Sequence, residues 1–192
     1  MISPDRLEAL VEGIIPQAVE LRRLLHRHPE PANEEHQTTA LIAASLDENG
    51  IVYHDRRPQT GLWVDVGPEP RIGFRADLDA LPIHEPEGNA PRSQNAGWMH
   101  ACGHDGHAAI AFGIAVALRQ LDLPVGVRLL FQPAEEAFPG GASQFVEEGL
   151  VDGLKGILAF HVDPSLETGL VGSRIGPITA SADKFTVVLE GP

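Results

Sequence analysis

The sequence MHACGHDGHAAIAFGIAVAL, residues 99–118, places a cluster of metal-binding side chains directly before an apolar segment of helical composition. Its first nine residues hold three histidines, one aspartate and the only cysteine of the chain. Asp105 is a preferred residue at a helix start, so we expect the helix to begin there. The cluster is therefore predicted to lie where a strand ends and a helix begins, a usual position for functional groups in an α/β sheet.

Within this cluster, Cys102 and His104 are the most specific indication of a metal site. They are separated by one residue, so in an extended segment or a tight turn their side chains point to the same side and could share one metal ion or flank two. Thiolate, imidazole and carboxylate groups suit zinc, manganese or cobalt better than calcium or magnesium. His100 and His107 lie in the same cluster, and the sequence leaves open whether each binds metal or is structural.

Two downstream segments supply matching groups. FQPAEE, residues 131–136, sets Glu135 and Glu136 side by side, and AFHVDP adds His161 after an apolar run. Adjacent side chains in an extended segment point in different directions, so one glutamate can bind a metal while the other faces a bound water. A metal lowers the pKa of its water toward about 7, and a free carboxylate can then take the proton, so the arrangement predicts hydrolysis.

Each of these candidate site residues could instead have a purely structural role. A single cysteine is ordinarily a small buried hydrophobe, and paired glutamates ordinarily lie on a solvated surface. That explanation is weaker here because Cys102, the glutamate pair and His161 each follow the end of an apolar or Gly/Pro-marked segment. The histidines interpreted as ordinary surface or core residues are His26, His28, His36, His54 and His84.

In their order, the motifs resemble those of the N-acyl-amino-acid amidohydrolases. This is the hippurate hydrolase and indole-acetyl-amino-acid hydrolase group, related to aminoacylases and glutamate carboxypeptidases. The motifs are RADLDALPIHE at 75–85, MHACGHDGH at 99–107, FQPAEE at 131–136 with GGA at 140–142, and FHVDP at 160–164. The resemblance spans nearly the whole chain, since it includes LRRLLHRHPE at 21–30 and GPITASADKF at 176–185.

The resemblance implies a peptidase-like site with two divalent metal ions, manganese or zinc first and cobalt or nickel as alternatives. The metal ligands that it implies are Cys102, His104, Glu136 and His161. Glu135 would be the general base, while Asp77 and Asp79 would hold ligands in place rather than bind metal. The substrate would be an N-acyl amino acid or a small peptide-like amide, cleaved by a metal-activated water.

Chains of that family continue through a smaller lid and dimerisation domain and then supply a last metal-binding histidine. Because this sequence stops at VVLEGP, we expect an amino-terminal fragment that lacks most of the lid domain. Residues 1–182 would belong to the catalytic domain, and residues 183–192 would be the first strand of the lid. The full-length form is expected to be a homodimer or homotetramer through the lid, and the fragment is expected to be inactive alone.

Alternating helical and strand patterns predict a layered α/β/α fold with a mostly parallel mixed sheet. Pro16 is expected to kink or divide the first helix, and residues 82–98 are expected to be a loop bordering the pocket. The other predicted elements are a helix over 34–49 closed by Gly50, strands over 62–66, 71–75 and 125–132, a helix over 143–150, a buried strand over 156–162 and a strand over 184–190.

The formal net charge of −13 repels phosphate backbones and anionic lipid, which argues against nucleic-acid and membrane partners. Contents of 43% hydrophobic and 21% charged residues are typical of a soluble globular protein. One cysteine allows no internal disulfide, and the start lacks the pattern of a secretory signal. A cytoplasmic protein with a small-molecule substrate is therefore predicted.

Two other classes of function remain open. Cys102 with His104 or His107 could be the nucleophile and base of a cysteine hydrolase. One residue between Cys102 and His104 is poor geometry for such a pair, and the glutamates would then have no role. Alternatively, the chain is a catalytically dead metal-binding or interaction module. Metal content tests the first alternative, and activity tests the second.

Overall fold

The computed structural model describes residues 2–179 and 185–191. Residues 1–162 form one compact unit and residues 163–192 a second. All helices and strands assigned among the described residues lie in the first unit. They are α1 (Pro4–Arg27), α2 (His36–Glu48), β1 (His54–Asp55), β2 (Leu62–Val66), β3 (Pro70–Asp77), α3 (His104–Leu118), β4 (Gly126–Gln132), α4 (Gly141–Glu147) and β5 (Gly156–Ala159).

The strands form one mixed sheet in the order β1-β2-β4-β3-β5. Strand β3 runs parallel to β4 and β5, whereas β2 is antiparallel to β4 and β1. The register pairs Asp77 with Gln132 and Arg75 with Ala159, so the carboxyl ends of β3, β4 and β5 meet at one edge. This confirms the predicted α/β fold, and it gathers the segments that follow these strands into one crevice.

Alternate residues of the sheet face two separate apolar clusters. On one face, Val64 and Leu129 pack in a core with Leu25 of α1, Ile42 of α2 and Phe112 of α3. On the other face, a smaller cluster contains Leu130, Phe145 of α4, Leu150 and Trp63. Because side chains alternate between the two faces of a strand, the first unit has three layers, helix, sheet and helix.

Helix α1 begins after Ser3, whose hydroxyl oxygen accepts a hydrogen bond from the Arg6 backbone N–H at 3.3 Å. The helix continues through Pro16, so this proline does not divide it, and a kink, the other expected outcome, stays a prediction. Proline removes one intrahelical hydrogen bond. The buried residues on either side, Ile14 before it and Leu21 after it, keep the same helix packed on the core.

The starts and ends of α2 and α3 test two further predictions. Helix α2 ends at Glu48 and Gly50 follows with a φ of +60°, as its role as a stop signal predicts. Helix α3 begins at His104 after Gly103, not at Asp105, whose carboxylate is used elsewhere. The described residues 100–103 form a turn, one of the two conformations expected around Cys102. An isolated bridge between Leu81 and Met99 stands where a strand was expected before the helix.

Strand β5 is exposed, so the prediction of a buried strand over 156–162 is wrong in its burial and length. Among the described residues its hydrogen-bonded neighbour is β3, which makes it an edge strand. Its apolar side chains Ile157 and Leu158 are 47% and 58% exposed. One side of β5 therefore has backbone groups without a neighbouring strand in the described part of the chain.

The described part of the second unit, residues 163–179 and 185–191, contains no helix or strand. The strand predicted over 184–190 is therefore not found over 185–190, because a strand requires a hydrogen-bonded neighbour. Lys184 and the predicted boundary between residues 182 and 183 lie outside the described residues. None of the helices in the described ranges combines the length and the apolar content that a membrane crossing needs.

Candidate metal centre

His104, the first residue of α3, is fully buried at the centre of the crevice. Its Nδ1 lies 2.8 Å from the backbone carbonyl oxygen of Asp79. A carbonyl only accepts hydrogen bonds, so Nδ1 carries a proton and Nε2 is the nitrogen left to bind a metal ion. Among the described residues Nε2 has no hydrogen-bond partner. A buried nitrogen without a partner is costly, and a bound cation would satisfy it.

Three carboxylates surround this nitrogen. His104 Nε2 lies 3.6 Å from Asp77 Oδ2, 3.9 Å from Glu136 Oε1 and 4.0 Å from Glu135 Oε2. Two donor atoms about 2.1 Å from one tetrahedral zinc ion would be roughly 3.4 Å apart. The distances are therefore those of atoms arranged around an ion, and the residues fit a divalent metal.

Cys102 and His161 complete the same cluster. The Cys102 Sγ atom lies 3.4 Å from His161 Nε2. His161 Nδ1 donates to the backbone oxygen of Val162 at 2.7 Å, which leaves Nε2 available as a ligand. The ligand atoms of Cys102, His104 and His161 all lie within 4.8 Å of one another.

The structure thus brings together all the residues predicted from sequence as ligands or base. Two further sets of possible ligand atoms overlap the first at His104, namely His104 with Glu135 and Glu136, and Asp77 with His104 and His107. The two sets that contain Cys102 with His161 and Glu135 with Glu136 share His104, so they could hold two neighbouring ions.

Asp79 holds the glutamate pair in place. Its Oδ1 accepts the backbone N–H of Glu135 at 3.0 Å, and its Oδ2 accepts that of Glu136 at 2.8 Å. The same residue orients His104 through its backbone carbonyl. These contacts fit the expectation that Asp79 supports the ligands, because groups that orient metal ligands are usually carboxylates or carbonyls.

Asp77 is held as an anion. Its Oδ1 accepts from His107 Nδ1 at 2.6 Å, and its Oδ2 lies 2.7 Å from Arg75 Nη1. Burial alone would raise the pKa of Asp77. The hydrogen bond from His107 and the charges of His104 and Arg75 outweigh burial and lower this pKa to about 2.

The sequence does not decide whether His107 and His100 bind metal, and the structure gives the two side chains different environments. The Nε2 atom of His107 accepts the backbone N–H of Val162 at 3.1 Å, so with Nδ1 bound to Asp77 neither nitrogen is free for a metal. His100 is buried, and neither of its nitrogens has a partner among the described residues. Burial lowers the pKa of His100 to about 4, so its ring is neutral.

The acid–base state of Cys102 argues against the cysteine-hydrolase alternative. Burial, together with the hydrogen bond and negative charge of Glu136, raises the pKa of the Cys102 thiol to about 12. A nucleophilic cysteine requires a lowered pKa, whereas a bound metal can deprotonate a thiol directly. Burial and the neighbouring Glu136 also raise the pKa of Glu135, which favours proton uptake there.

Sequence analysis missed the role of His26. This buried ring lies between two carboxylates, with Nδ1 2.9 Å from Asp105 Oδ2 and Nε2 2.8 Å from Glu85 Oε1. Arg22 Nε lies 2.8 Å from the same Asp105 oxygen. Glu85 belongs to the predicted loop 82–98, so His26 connects that loop to α1 and α3. An isolated histidine in a helical segment gives no sequence signal for such contacts.

Comparisons with known proteins identify the family of the chain. The sequence profile described as Peptidase family M20/M25/M40 matches residues 73–190, the range that contains the candidate metal centre. The chain belongs to this family. Within peptidase family M20, the solved structure of the Bacillus subtilis YXEP protein, described as a dinuclear metal binding peptidase, superposes with a TM-score of 0.81. It is 38% identical, over 86% of this chain and 48% of that chain.

Two curated relatives carry names of related activities. The N-acetyl-L-cysteine deacetylase of Bacillus subtilis is 43% identical over 91% of this chain and 43% of its own length. The N-acyl-L-amino acid amidohydrolase of Geobacillus stearothermophilus is 36% identical over 99% of this chain and 53% of its own length. The M20 chain described here therefore spans about half the length of these relatives.

Proposed function

We propose that this chain supplies the metal site of an amidohydrolase that cleaves N-acyl amino acids. The observation that carries the proposal is the buried Nε2 of His104, which has no partner among the described residues and faces the carboxylates of Asp77, Glu135 and Glu136. The substrate class is taken from the names of the deacetylase and amidohydrolase relatives.

The residues proposed to hold two divalent ions are Cys102, His104, Glu136 and His161. Manganese and zinc suit this mixed set of sulfur, nitrogen and oxygen donors, with cobalt or nickel as alternatives. When bound, such ions would polarise the substrate carbonyl and lower the pKa of water toward about 7.

Glu135 is the proposed general base. Its raised pKa favours proton uptake, and Asp79 fixes its backbone beside His104. Glu135 would take the proton from the attacking water and deliver it to the leaving amine nitrogen, as the carbon–nitrogen bond of the amide breaks. The products are the free carboxylic acid and the amino acid.

The proposal extends to the arrangement of the natural protein. Residues 1–182 would belong to its catalytic domain and residues 183–192 to the first strand of a lid domain, through which it would form a homodimer or homotetramer in the cytoplasm. Analytical ultracentrifugation of the natural protein, with and without the proposed lid, tests the assembly. A monomer in both cases would contradict it.

The glutamate pair gives the sharpest test of the function. In the natural protein, Glu135→Gln should lower kcat on an N-acyl amino acid by at least about 10²-fold and leave the metal content unchanged. Glu136→Gln should release metal as well. Glu147→Gln, on the exposed side of α4, is the matched control and should change neither. Metal loss in the first variant but not the second would reverse the two roles.

The second candidate is a cysteine hydrolase whose base is His161 and not His104 or His107, and it is favoured by the 3.4 Å distance between Cys102 Sγ and His161 Nε2. The two candidates respond differently to a chelator. Hydrolysis by the natural protein should stop after metal removal and return with manganese or zinc. Activity that survives chelation but is lost on alkylation of Cys102 would support the cysteine hydrolase. Retained metal without hydrolysis would support a binding module.

A further inference from the structure

Three successive backbone N–H groups in the turn after β4 all donate to carboxylates. The N–H groups of Glu135 and Glu136 bind the two oxygens of Asp79, and the N–H of Ala134 binds Glu35 Oε1 at 2.7 Å. The side chains of both glutamates leave the backbone from this turn. The direction in which they point therefore depends on two carboxylates that come from different parts of the chain.

Glu35 is the remote member of this arrangement. It lies directly before α2, its exposed fraction is 0%, and its Oε2 lies 2.5 Å from Thr60 Oγ1. Burial raises the pKa of Glu35. A buried carboxylate is unfavourable unless its oxygens are hydrogen-bonded, and an apolar side chain would fill the same space without that penalty. Packing alone therefore does not account for a glutamate at this position.

The backbone conformation of Ala134 explains why a hydrogen bond to Glu35 matters at this position. Its φ is +51°, in the left-handed region that residues with a Cβ rarely adopt. The hydrogen bond from its N–H to Glu35 stabilises this conformation. On the other side of the residue, the Ala134 carbonyl accepts the N–H of Gly141 at 2.9 Å, so the turn is held from both ends.

We propose that Glu35 is a positioning residue, which holds Ala134 in its left-handed conformation and so directs Glu135 and Glu136 toward His104. The roles of the two glutamates in metal binding and catalysis rest on the proposed function. The conformation of the turn depends only on the contacts of Glu35, Thr60 and Ala134. The two parts can therefore be tested separately.

Substitutions at Glu35 separate its hydrogen bonds from its charge. Glu35→Gln keeps an acceptor for the Ala134 N–H and gains a donor for Thr60 Oγ1, so it should preserve the turn. Glu35→Met has similar length but no acceptor, so it should release Ala134. Thr60→Val removes only the hydroxyl and should have a smaller effect. Leu46→Ala, at a buried position of α2 far along the helix from Glu35, provides a variant that is destabilised without touching the turn.

The first experiment uses the 192-residue chain and requires no activity. Backbone amide chemical shifts of Ala134, Glu135 and Glu136 and the affinity for Co²⁺ are measured in each variant. Glu35→Met should move all three amide signals and weaken Co²⁺ binding by about tenfold. In Glu35→Gln, the amide shifts of Glu135 and Glu136 should stay as in the wild type. Unchanged shifts and affinity in Glu35→Met would overturn the proposal.

The second experiment uses the natural protein and an N-acyl amino acid. Glu35→Met should lower kcat by at least about tenfold with a smaller change in KM, because a misplaced base affects the reacting geometry more than binding. An equal loss of kcat in Leu46→Ala, at matched thermal stability, would show a merely structural role and overturn the proposal. If Glu35→Met does not fold, Glu35→Asp, which is one methylene too short to reach Ala134, takes its place. Absence of hydrolysis by the wild type would refute the proposed function and leave the amide shifts as the test of the turn.

Discussion

The backbone N–H of Val162 donates a hydrogen bond to Nε2 of His107 at 3.1 Å, and this bond attaches the residue after His161 to helix α3. The other nitrogen of His107 donates to Asp77 at 2.6 Å. A chain of contacts therefore runs from the end of β3, through His107, to the segment that follows β5. His161, which follows β5, is placed beside Cys102 by a backbone contact and not only by the direction of that strand.

Removing this backbone donor should weaken metal binding. Val162→Pro has no N–H to donate to His107, and loss of such supporting contacts typically costs about 10- to 100-fold in metal affinity. Competition with a chromophoric chelator measures the affinity. Val162→Ala keeps the N–H and is the control. His107→Leu combined with Val162→Pro should be no weaker than either variant alone, and fully additive losses would show that the two residues act independently.

Gly103→Ala should destabilise the protein because two features require glycine there. The φ of Gly103 is +86°, and an added Cβ would lie 2.4 Å from Cγ2 of Val162. The backbone conformation alone should cost about 1–2 kcal/mol in the free energy of unfolding. Val162→Ala removes Cγ2, so the double variant should be more stable than the sum of the two single changes. Urea unfolding measures these free energies, and strict additivity would contradict the predicted contact.

Metal content should depend on Cys102 and His161 together. Elemental analysis of the purified chain should show a divalent metal, and Cys102→Ala and His161→Ala should each lower it. With Co²⁺ bound, the sulfur-to-metal charge-transfer absorption should vanish in Cys102→Ala and persist in His54→Ala, a histidine stacked on Trp63 away from the crevice. Unchanged metal content in both ligand variants would rule out the assignment.

His26 should make stability depend on pH. Its pKa is raised, first by the hydrogen bond to Asp105 and also by Glu85, against the lowering effect of burial. Since the folded protein holds this proton more tightly than the unfolded chain, the stabilisation is complete below the unfolded pKa of about 6.5. It is lost as the pH rises through the higher folded value.

The free energy of unfolding, measured by urea denaturation between pH 6 and pH 9, should therefore decrease as the pH rises. His26→Gln should flatten this dependence, whereas His36→Gln, at the exposed start of α2, should leave it as in the wild type. Equal slopes in the wild type and His26→Gln would contradict the prediction.

Local sequence patterns were sufficient for much of the fold. Strand β2 covers the predicted residues 62–66, since alternating apolar residues bounded by a turn have one natural register. The kinds of side chain at the metal centre could also be predicted from the sequence, because cysteine, histidine and paired acids cluster there. Pro16 does not divide α1, because the packing of the whole helix outweighs one lost hydrogen bond.

Contacts between distant residues could not be predicted in this way. Glu35 meets Ala134 across 99 positions, and His26 meets Asp105 across 79. Neither residue has a neighbour in sequence that reveals its partner, because burial of a polar side chain is decided by the tertiary fold. The burial of β5 was misjudged for the same reason, since its apolar composition does not tell a central strand from an edge strand.

The exposure of β5 links the metal centre to local unfolding. This four-residue strand is hydrogen-bonded to β3, and the segment after it is fastened by the contact between Val162 and His107. Strands with few neighbours open more easily than the rest of a protein, and each opening of β5 would carry His161 away from its partners. A metal bound through His161 opposes that opening by mass action. The amides of Ile157 and Ala159 would then act as reporters, exchanging with solvent at rates set by the free metal concentration.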